Sequence, residues 1–221
     1  MSQHLSLELQ RTYRSRFLPN SEYRKAIWSV LIAGFFQRYV HSTDVVFDLG
    51  CGYGEFINQI QCGGKFAMDL NPDAPTHLMP EIKFFLQDCS KPWPLEDASL
   101  DVVFTSNFLE HLPDKTSLSR TLDEARRSLK PGGCLIALGP NIRYVGGAYW
   151  DFWDHHLPLT ELALKEVLSN LGFSVERCCP KFLPYRMSNG PRYPLLLLRL
   201  YLLLPLIWRI FGKQYLVIAR K

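Results

Sequence analysis

VFDLGCGYGEF, residues 46–56, places Gly50, Gly52 and Gly54 directly behind an apolar run that ends on Asp48 and Leu49. An apolar run of β-type residues followed by alternate glycines reads as a buried strand entering a tight loop. Without Cβ atoms, the backbone amides of such a loop can touch a ligand. Loops of this kind, at the carboxyl ends of parallel strands, are where α/β sheets take their ligands. A dinucleotide fingerprint G-x-G-x-x-G would require a glycine at 55, but the chain has Glu55 there. The spacing is D-x-G-x-G-x-G instead, with a carboxylate two residues ahead of the first glycine. That carboxylate repels a pyrophosphate and attracts a cation, so the expected ligand is positively charged or zwitterionic. A tight strand-to-helix turn that binds nothing is the alternative reading.

Outward from this loop, short apolar β-type runs alternate with helical stretches, which points to βαβ units and a mostly parallel sheet. Strands are expected at 44–49, 65–70, 82–87, 100–106, 133–139, 174–182 and 214–220, and helices at 21–40, 55–61, 116–130 and 160–171. KPGG at 130–133 ends one helix and begins a strand, since proline cannot extend the helix and glycine tolerates the turn. NLGF at 170–173 repeats that punctuation.

The 221 residues, 47% of them hydrophobic, suit one globular domain with a sizeable core. A net charge of +4 is too mild to argue for nucleic acid, although RTYRSRF at 11–17 is locally basic. Cys51, Cys62, Cys89, Cys134, Cys178 and Cys179 form no CxxC pair and no zinc-type spacing with histidine, so neither a disulfide frame nor a metal is implied. Reduced thiols and a cytoplasmic location are the expectation, since MSQHLSLELQ lacks the layout of a signal peptide.

Two further acids follow strands of their own. Asp69 closes the second strand in AMDLN, where a carboxylate can accept both hydroxyls of a ribose. Asp88, in LQDCS after the third, can accept from an adenine amino group while the next amide donates to the ring. In this order, glycine loop, ribose acid and adenine acid, the chain resembles a class I S-adenosylmethionine-dependent methyltransferase of the small-molecule type, with a domain like methyltransferase type 11. The resemblance is carried by VVFDLGCGYGEF, AMDLN, LQDCSKPWPLEDASLDVVFTSNFLEHLPD and EARRSLKPGGCLIALGPN, and it resumes at KQYLVIARK. It implies a Rossmann-like α/β fold: a seven-stranded, mostly parallel sheet in the order 3-2-1-4-5-7-6, the last strand antiparallel, with helices on both faces. It also implies S-adenosylmethionine as cofactor. Asp48, Gly50, Cys51, Gly52 and Gly54 would surround its methionine part, Asp69 its ribose, and Asp88 with Cys89 its adenine. Leu70 would pack on the adenine face, and Asn107 would lie near the methionine end. One domain would span 1–221, with a helical lid at 1–43, a cofactor-binding core at 44–183, a hydrophobic helical insertion at 184–213 and a last strand at 214–221.

A sulfonium is an already activated methyl donor, so the protein has chiefly to position an acceptor oxygen, nitrogen or carbon and exclude water. A general base matters where the acceptor is protonated, and His111, His155 and His156 are the candidates, their pKa lying near neutrality. His111 has an alternative as a capping or packing residue. GGAYWDFWDHH at 146–156 joins flexible glycines to aromatic and polar groups, so Tyr149, Trp150, Trp153 and Asp154 are expected around a small-molecule acceptor, such as a sugar, a lipid-linked intermediate or a secondary metabolite. The same segment also reads as a surface loop with its aromatics packed inward. TSNFLEH at the end of the fourth strand is neither an NPPY-like grip nor a Pro-Cys nucleophile, which disfavours nucleic-acid methylation. A macromolecular methyltransferase docking RNA or protein on the basic N-terminus, and a cofactor-binding protein without methyl transfer, are the alternatives.

Two segments lie outside the motifs. Residues 13–40 place Ile27, Val30, Leu31 and Gly34 at helical spacing, which reads as a helix packed on the sheet edge, or as a lid in which Tyr13, Arg14 and Arg16 reach the cofactor. YPLLLLRLYLLLPLIWRIFG at 193–212 nears membrane-spanning length, but Arg199 and Pro205 interrupt it. Helices covering the sheet or the acceptor are expected there, or an interfacial helix with Arg192, Arg199 and Arg209 toward lipid headgroups and peripheral membrane contact.

Overall fold

The computed structural model describes residues 3–185 and 192–221, so residues 186–191 of the expected insertion and the first two residues of the expected lid lie outside the described residues. Seven strands form one sheet in the order β3-β2-β1-β4-β5-β7-β6. They are β1 (Val45–Leu49), β2 (Gly64–Asp69), β3 (Lys83–Leu86), β4 (Leu100–Ser106), β5 (Leu129–Pro140), β6 (Ser174–Leu183) and β7 (Gln214–Arg220). β7 runs antiparallel to both β5 and β6, as the resemblance implies.

By its internal contacts the chain divides into two compact units. The first holds the described residues of Met1–Asp88 and Arg186–Leu204. In it β1 pairs in parallel with β2, Asp48 beside Ala67, and β2 with β3, Asp69 beside Leu86. Val46, Phe47 and Leu49 are buried on both faces of β1, the mark of a parallel strand covered on both sides. Before the sheet come α1 (Gln3–Phe17) and α2 (Ser21–Gly34), and after it α6 (Leu195–Leu203). α2 buries Ile27, Val30 and Leu31, the expected stripe, and its Gly34 lets Leu202 of α6 approach to 2.9 Å of where a Cβ would stand. The expected helix ends early at Gly34, and a 3-10 turn, Phe36–Tyr39, finishes the stretch. A helix at 55–61 does not form. Its residues make a run of turns in which the Asn58 and Ile60 amides reach the carbonyls four residues back, and the chain enters β2 before a second turn can close.

The second unit is Cys89–Tyr185 with Pro205–Lys221. β5 lies between β4 and β7, and Leu135, Ile136 and Ala137 are fully buried in it. α3 (Lys115–Ser128) starts where Asp114 accepts from the Ser117 amide at 2.7 Å, and it buries Leu118, Leu122 and Ala125 at helical spacing. α4 (Ile142–Val145) and a 3-10 turn, Gly146–Asp151, follow β5, then α5 (Glu161–Asn170), capped by Thr160 on the Ala163 amide. α7 (Pro205–Phe211) precedes β7. The leucine-rich segment is thus two helices broken at Leu204 and Pro205, and among the described residues no helix is long and apolar enough to cross a membrane.

Candidate functional site

In the first unit the glycine loop wraps over the carboxyl end of β2. Gly50, Gly52 and Gly54 all have positive φ, at 70°, 57° and 77°. A Cβ at Gly54 would collide with Leu78 and Asn58, so this position requires glycine for space as well as for conformation. The Gly50 and Cys51 amides donate to the Met68 carbonyl at 2.9 and 3.1 Å. The Gly52 amide donates to Asp69 Oδ2 at 2.9 Å, and the Asn71 amide donates to Oδ1 at 2.9 Å. Asp69 is 4% exposed, so these bonds replace water for a carboxylate that burial otherwise penalises.

Asp69 has company. Burial first, then the Glu55 and Asp69 carboxylates, hold Asp48 well above the usual carboxylate range. Burial also raises Glu55, against the pull of Arg24, whose Nε lies 3.5 Å from Glu55 Oε1. Burial likewise raises Asp69, opposed by its amide bonds and the Tyr13 hydroxyl. The loop is therefore a buried concentration of acid, which a cationic ligand would relieve.

α1 closes over this loop. The Tyr13 hydroxyl donates to both Asp69 oxygens, at 3.2 and 3.3 Å. The Phe17 ring lies 3.3 Å from where a Gly52 Cβ would stand, and Tyr13, Phe17 and Tyr53 form an aromatic cluster with ring centroids 5.1 to 6.0 Å apart. Tyr53 stacks on His77 at 3.8 Å. Arg14 pairs with Asp73 at 2.8 Å, and Arg24 sits over Phe17 while donating to the Arg16 carbonyl. Leu70, at 38% exposure, offers an apolar surface beside Asp69, and Asp88 is exposed after β3.

The second unit assembles the other candidates. His111 ends a 3-10 turn, Leu109–His111, and its Nδ1 lies 2.9 Å from the Asp154 carbonyl oxygen. The Glu110 carbonyl accepts from the His156 and Leu157 amides at 2.8 and 3.0 Å, which ties the two segments together. His155 is buried against Tyr149, Phe152 and His111, whereas His156 is exposed and contributes its backbone amide. Tyr149 corrects its sequence assignment. It is fully buried with its hydroxyl on the Leu157 carbonyl, so it packs the core and presents no surface to an acceptor. Trp150 and Trp153 are exposed, at 55% and 96%, and Trp153 has no wall to complete. Cys89 is buried with its thiol 3.3 Å from the Thr121 hydroxyl, and Asn107, at φ 49°, is exposed with its side-chain amide on Ser106. The sequence reading passed over Glu110, which is 1% exposed and whose pKa burial pushes up to about 8. An acid directly before a histidine in an apolar turn was its only signal.

Residues 47–137 match the family model described as a methyltransferase domain. A Mycolicibacterium smegmatis protein named as a probable S-adenosylmethionine-dependent methyltransferase is 30% identical over 150 residues, 64% of this chain and 57% of that one. A Mycobacterium tuberculosis protein of the same description is 29% identical over 154 residues, 66% of this chain and 53% of its own length. The fold aligns with an S-adenosylmethionine-dependent methyltransferase from Archaeoglobus fulgidus at a TM-score of 0.64 and 22% identity, covering 90% of this chain and 94% of that one. It aligns equally well, at 0.64 and 18% identity, with a methyltransferase solved in complex with the Haloferax volcanii Trm112 methyltransferase activator, covering 96% and 93%. Over residues 47–137 the chain is thus similar to a methyltransferase domain, and its fold is that of the solved S-adenosylmethionine-dependent methyltransferases. It spans little more than half the length of the curated mycobacterial relatives it matches. S-adenosylmethionine, the cofactor named for these relatives, carries the positive charge and the ribose hydroxyls that an acidic glycine loop with Asp69 beside it would suit.

The acidic loop has a consequence for stability. Asp48 ionises near pH ~3.9 in an unfolded chain and well above that when folded, so the folded state binds the extra proton in the interval between. Stability is therefore greatest below the unfolded value and falls as pH rises through the folded one. Asp48→Asn removes this proton equilibrium, and urea-denaturation midpoints of the variant should decline less between about pH 4 and pH 8 than those of the wild type. Parallel curves would mean that Asp48 titrates normally.

Proposed function

We propose that this chain transfers a methyl group from S-adenosylmethionine to a small-molecule acceptor at oxygen, nitrogen or carbon. The observation that carries this reading is the Asp69 carboxylate, buried at the end of β2, bonded to the glycine-loop amide of Gly52 and flanked by the acids Asp48 and Glu55. S-adenosylmethionine, when bound, supplies the activated methyl group. In this reading Asp69 accepts the ribose hydroxyls, and Asp48 with the loop from Gly50 to Gly54, Cys51 included, holds the methionine end. Leu70 packs on the adenine and Asp88 accepts from its amino group. Cys89 and Asn107 keep the roles the resemblance gives them, on adenine and near the methionine end. His111 and His155, with His156 beside them, serve the acceptor side and take its proton where it has one, and Trp150 and Asp154 line the approach.

A macromolecular acceptor is the second reading. The basic N-terminal segment would have to dock it, but Arg14 is engaged by Asp73 and Arg24 by Glu55, which leaves less positive charge for RNA. Trm112 belongs to the Haloferax complex, and a protein partner of that kind is the form the second reading would take here.

The leucine-rich helices favour a hydrophobic or lipid-linked acceptor met at a membrane surface. In α6, Leu196, Leu197, Leu200 and Leu203 are 46% to 73% exposed, and in α7 Leu206 and Ile210 are at least 70% exposed. Arg192, Arg199 and Arg209 lie in or beside the same helices, and 193–212 has no acid to oppose them. That combination suits the surface of an anionic bilayer on the cytoplasmic side. Leu196→Glu with Leu200→Glu should reduce cosedimentation with vesicles containing phosphatidylserine several-fold, and equal sedimentation would remove this role.

Calorimetric titration with S-adenosylmethionine, S-adenosylhomocysteine and NAD tests the cofactor reading. The first two should bind at micromolar concentration and NAD should not. Asp69→Ala removes the ribose acceptor and should weaken adenosyl binding about tenfold or more, since a hydrogen bond to a charged group contributes ~1.5–3 kcal/mol. Tyr13→Phe removes only the hydroxyl that occupies the same oxygens and should leave binding equal or a few-fold tighter. Unchanged affinity in a folded Asp69→Ala would take Asp69 out of the site.

A further inference from the structure

In the second unit, Glu110, His111 and His155 each bring a ligand atom to one place, all within 4.8 Å of one another. We propose that these side chains form a binding site for a divalent transition-metal ion. The site shares His111 and His155 with the acceptor side of the methyl-transfer reading, and while they hold an ion they do not take the acceptor's proton; binding of the ion is tested separately from binding of the cofactor.

The hydrogen bonding of His111 orients its ring and turns Nε2 toward Glu110. Its Nδ1 lies 2.9 Å from the Asp154 carbonyl oxygen, which can only accept, so Nδ1 carries the proton and Nε2 keeps its lone pair. Nε2 stands 4.0 Å from Glu110 Oε1, beyond hydrogen-bonding distance. Zinc-type ions sit ~2.0–2.2 Å from each nitrogen or oxygen donor, which puts neighbouring ligands ~3.3–3.8 Å apart, so this pair must close by a few tenths of an ångström on an ion. A separation of 4.8 Å, the widest in the cluster, requires closure by ~1 Å or more, so the site draws its side chains together when it takes the ion. The Asp154 carboxylate, with Oδ2 3.3 Å from His111 Nδ1, adds negative charge behind the imidazole, as outer-sphere acids do for metal-bound histidines.

Glu110 supplies the independent reason. It is 1% exposed, and its Oε2 has no hydrogen-bond partner among the described residues. Among those residues its ion pairing is with His111 alone, with no lysine or arginine. A buried carboxylate with an unused oxygen is costly unless a cation meets it. The scaffold around it is firm. The Glu110 carbonyl holds the His156 and Leu157 amides, the Tyr149 hydroxyl holds the Leu157 carbonyl, and the His155 ring packs on Tyr149 and Phe152 at 4.6 and 5.0 Å.

Two imidazoles and one carboxylate select zinc, manganese, iron or cobalt over magnesium and calcium, which prefer oxygen donors alone. Three protein ligands leave coordination positions open, the form of a site that exchanges water for an oxygen of a bound molecule. The sequence concealed it, because its ligands lie at 110, 111 and 155 and follow no metal-binding spacing.

The test uses the full chain, stripped with chelator and titrated with zinc, manganese and magnesium chlorides under calorimetry, with metal content read after gel filtration. One equivalent of zinc or manganese should bind, and magnesium at least tenfold more weakly. Glu110→Gln and His155→Ala should each weaken zinc at least tenfold, while His41→Ala, an exposed histidine elsewhere, should not. Circular dichroism and S-adenosylhomocysteine titration check that each variant is folded, so that loss of metal and loss of cofactor are read separately. If a variant does not fold, the cobalt spectrum of the wild type decides. Visible bands without thiolate charge transfer support the assignment, and a thiolate band overturns it. Absence of stoichiometric binding, or wild-type affinity in folded Glu110→Gln and His155→Ala, also overturns it.

Discussion

The Asp69 carboxylate binds two chain segments to one buried charge, with Gly52 donating to one oxygen and Asn71 to the other. An anion that is 4% exposed can persist only where donors replace its water, and backbone amides do so without lysine or arginine. The path of the glycine loop follows from this demand. The Gly50 and Cys51 amides are held by the Met68 carbonyl, one residue earlier on β2, so the loop must turn sharply, and its glycines take positive φ to do so. α1 is tied to the same charge through Tyr13 and laid on the same glycines through Phe17. A single carboxylate thus fixes the loop and gives the N-terminal helix its seat.

The strands were legible because each is a short apolar run bounded by turn residues, and a parallel strand buried on both faces carries no other pattern. Asp48, Asp69 and the glycines were legible for a related reason, since their order along the chain repeats their order in space, strand by strand. What failed depended on groups distant in sequence. Residues 55–61 have a helical composition, but β2 begins too soon for more than one turn. Tyr149 looked like a pocket wall beside exposed tryptophans, yet its ring fills the core and its hydroxyl has the Leu157 carbonyl. Glu110 was invisible because nothing in FLEH tells a buried acid from an exposed one. Its environment comes from residues some forty positions later.

Asp69 and Glu110 pose one electrostatic problem and meet it differently. Both are buried acids, Asp69 at the end of β2 and Glu110 within a 3-10 turn, and burial raises the pKa of each. Asp69 has amide donors on both oxygens, so its charge is stabilised by the fold itself. Glu110 has only its own backbone amide as an opposing hydrogen bond, its Oε2 has no hydrogen-bond partner among the described residues, and Asp154 adds repulsion. The first is suited to hold a neutral or cationic ligand with hydroxyls, because the fold already supports its ionised form. The second is suited to bind a proton or a metal ion, because the fold leaves that position to be filled.

The leucine-rich helices set apolar burial against solubility. Pro205 lacks an amide hydrogen and divides the segment, so neither nine-residue α6 nor seven-residue α7 approaches the ~20 apolar residues needed to span a bilayer. Leu202 and Trp208 are buried, and they anchor α6 and α7 each within its own unit. Leu195 and Leu198 are half-buried, whereas Leu196, Leu197, Leu200, Leu203, Leu204 and Leu206 lie largely in solvent. Each apolar side chain kept in water forgoes ~1.5–3 kcal/mol of burial, and single exposed leucines on a surface are ordinary. A run of them on one short helix, flanked by arginines and free of acids, is not ordinary. Its composition matches what a helix lying in a bilayer interface requires, with apolar side chains toward the acyl chains and cations toward the headgroups.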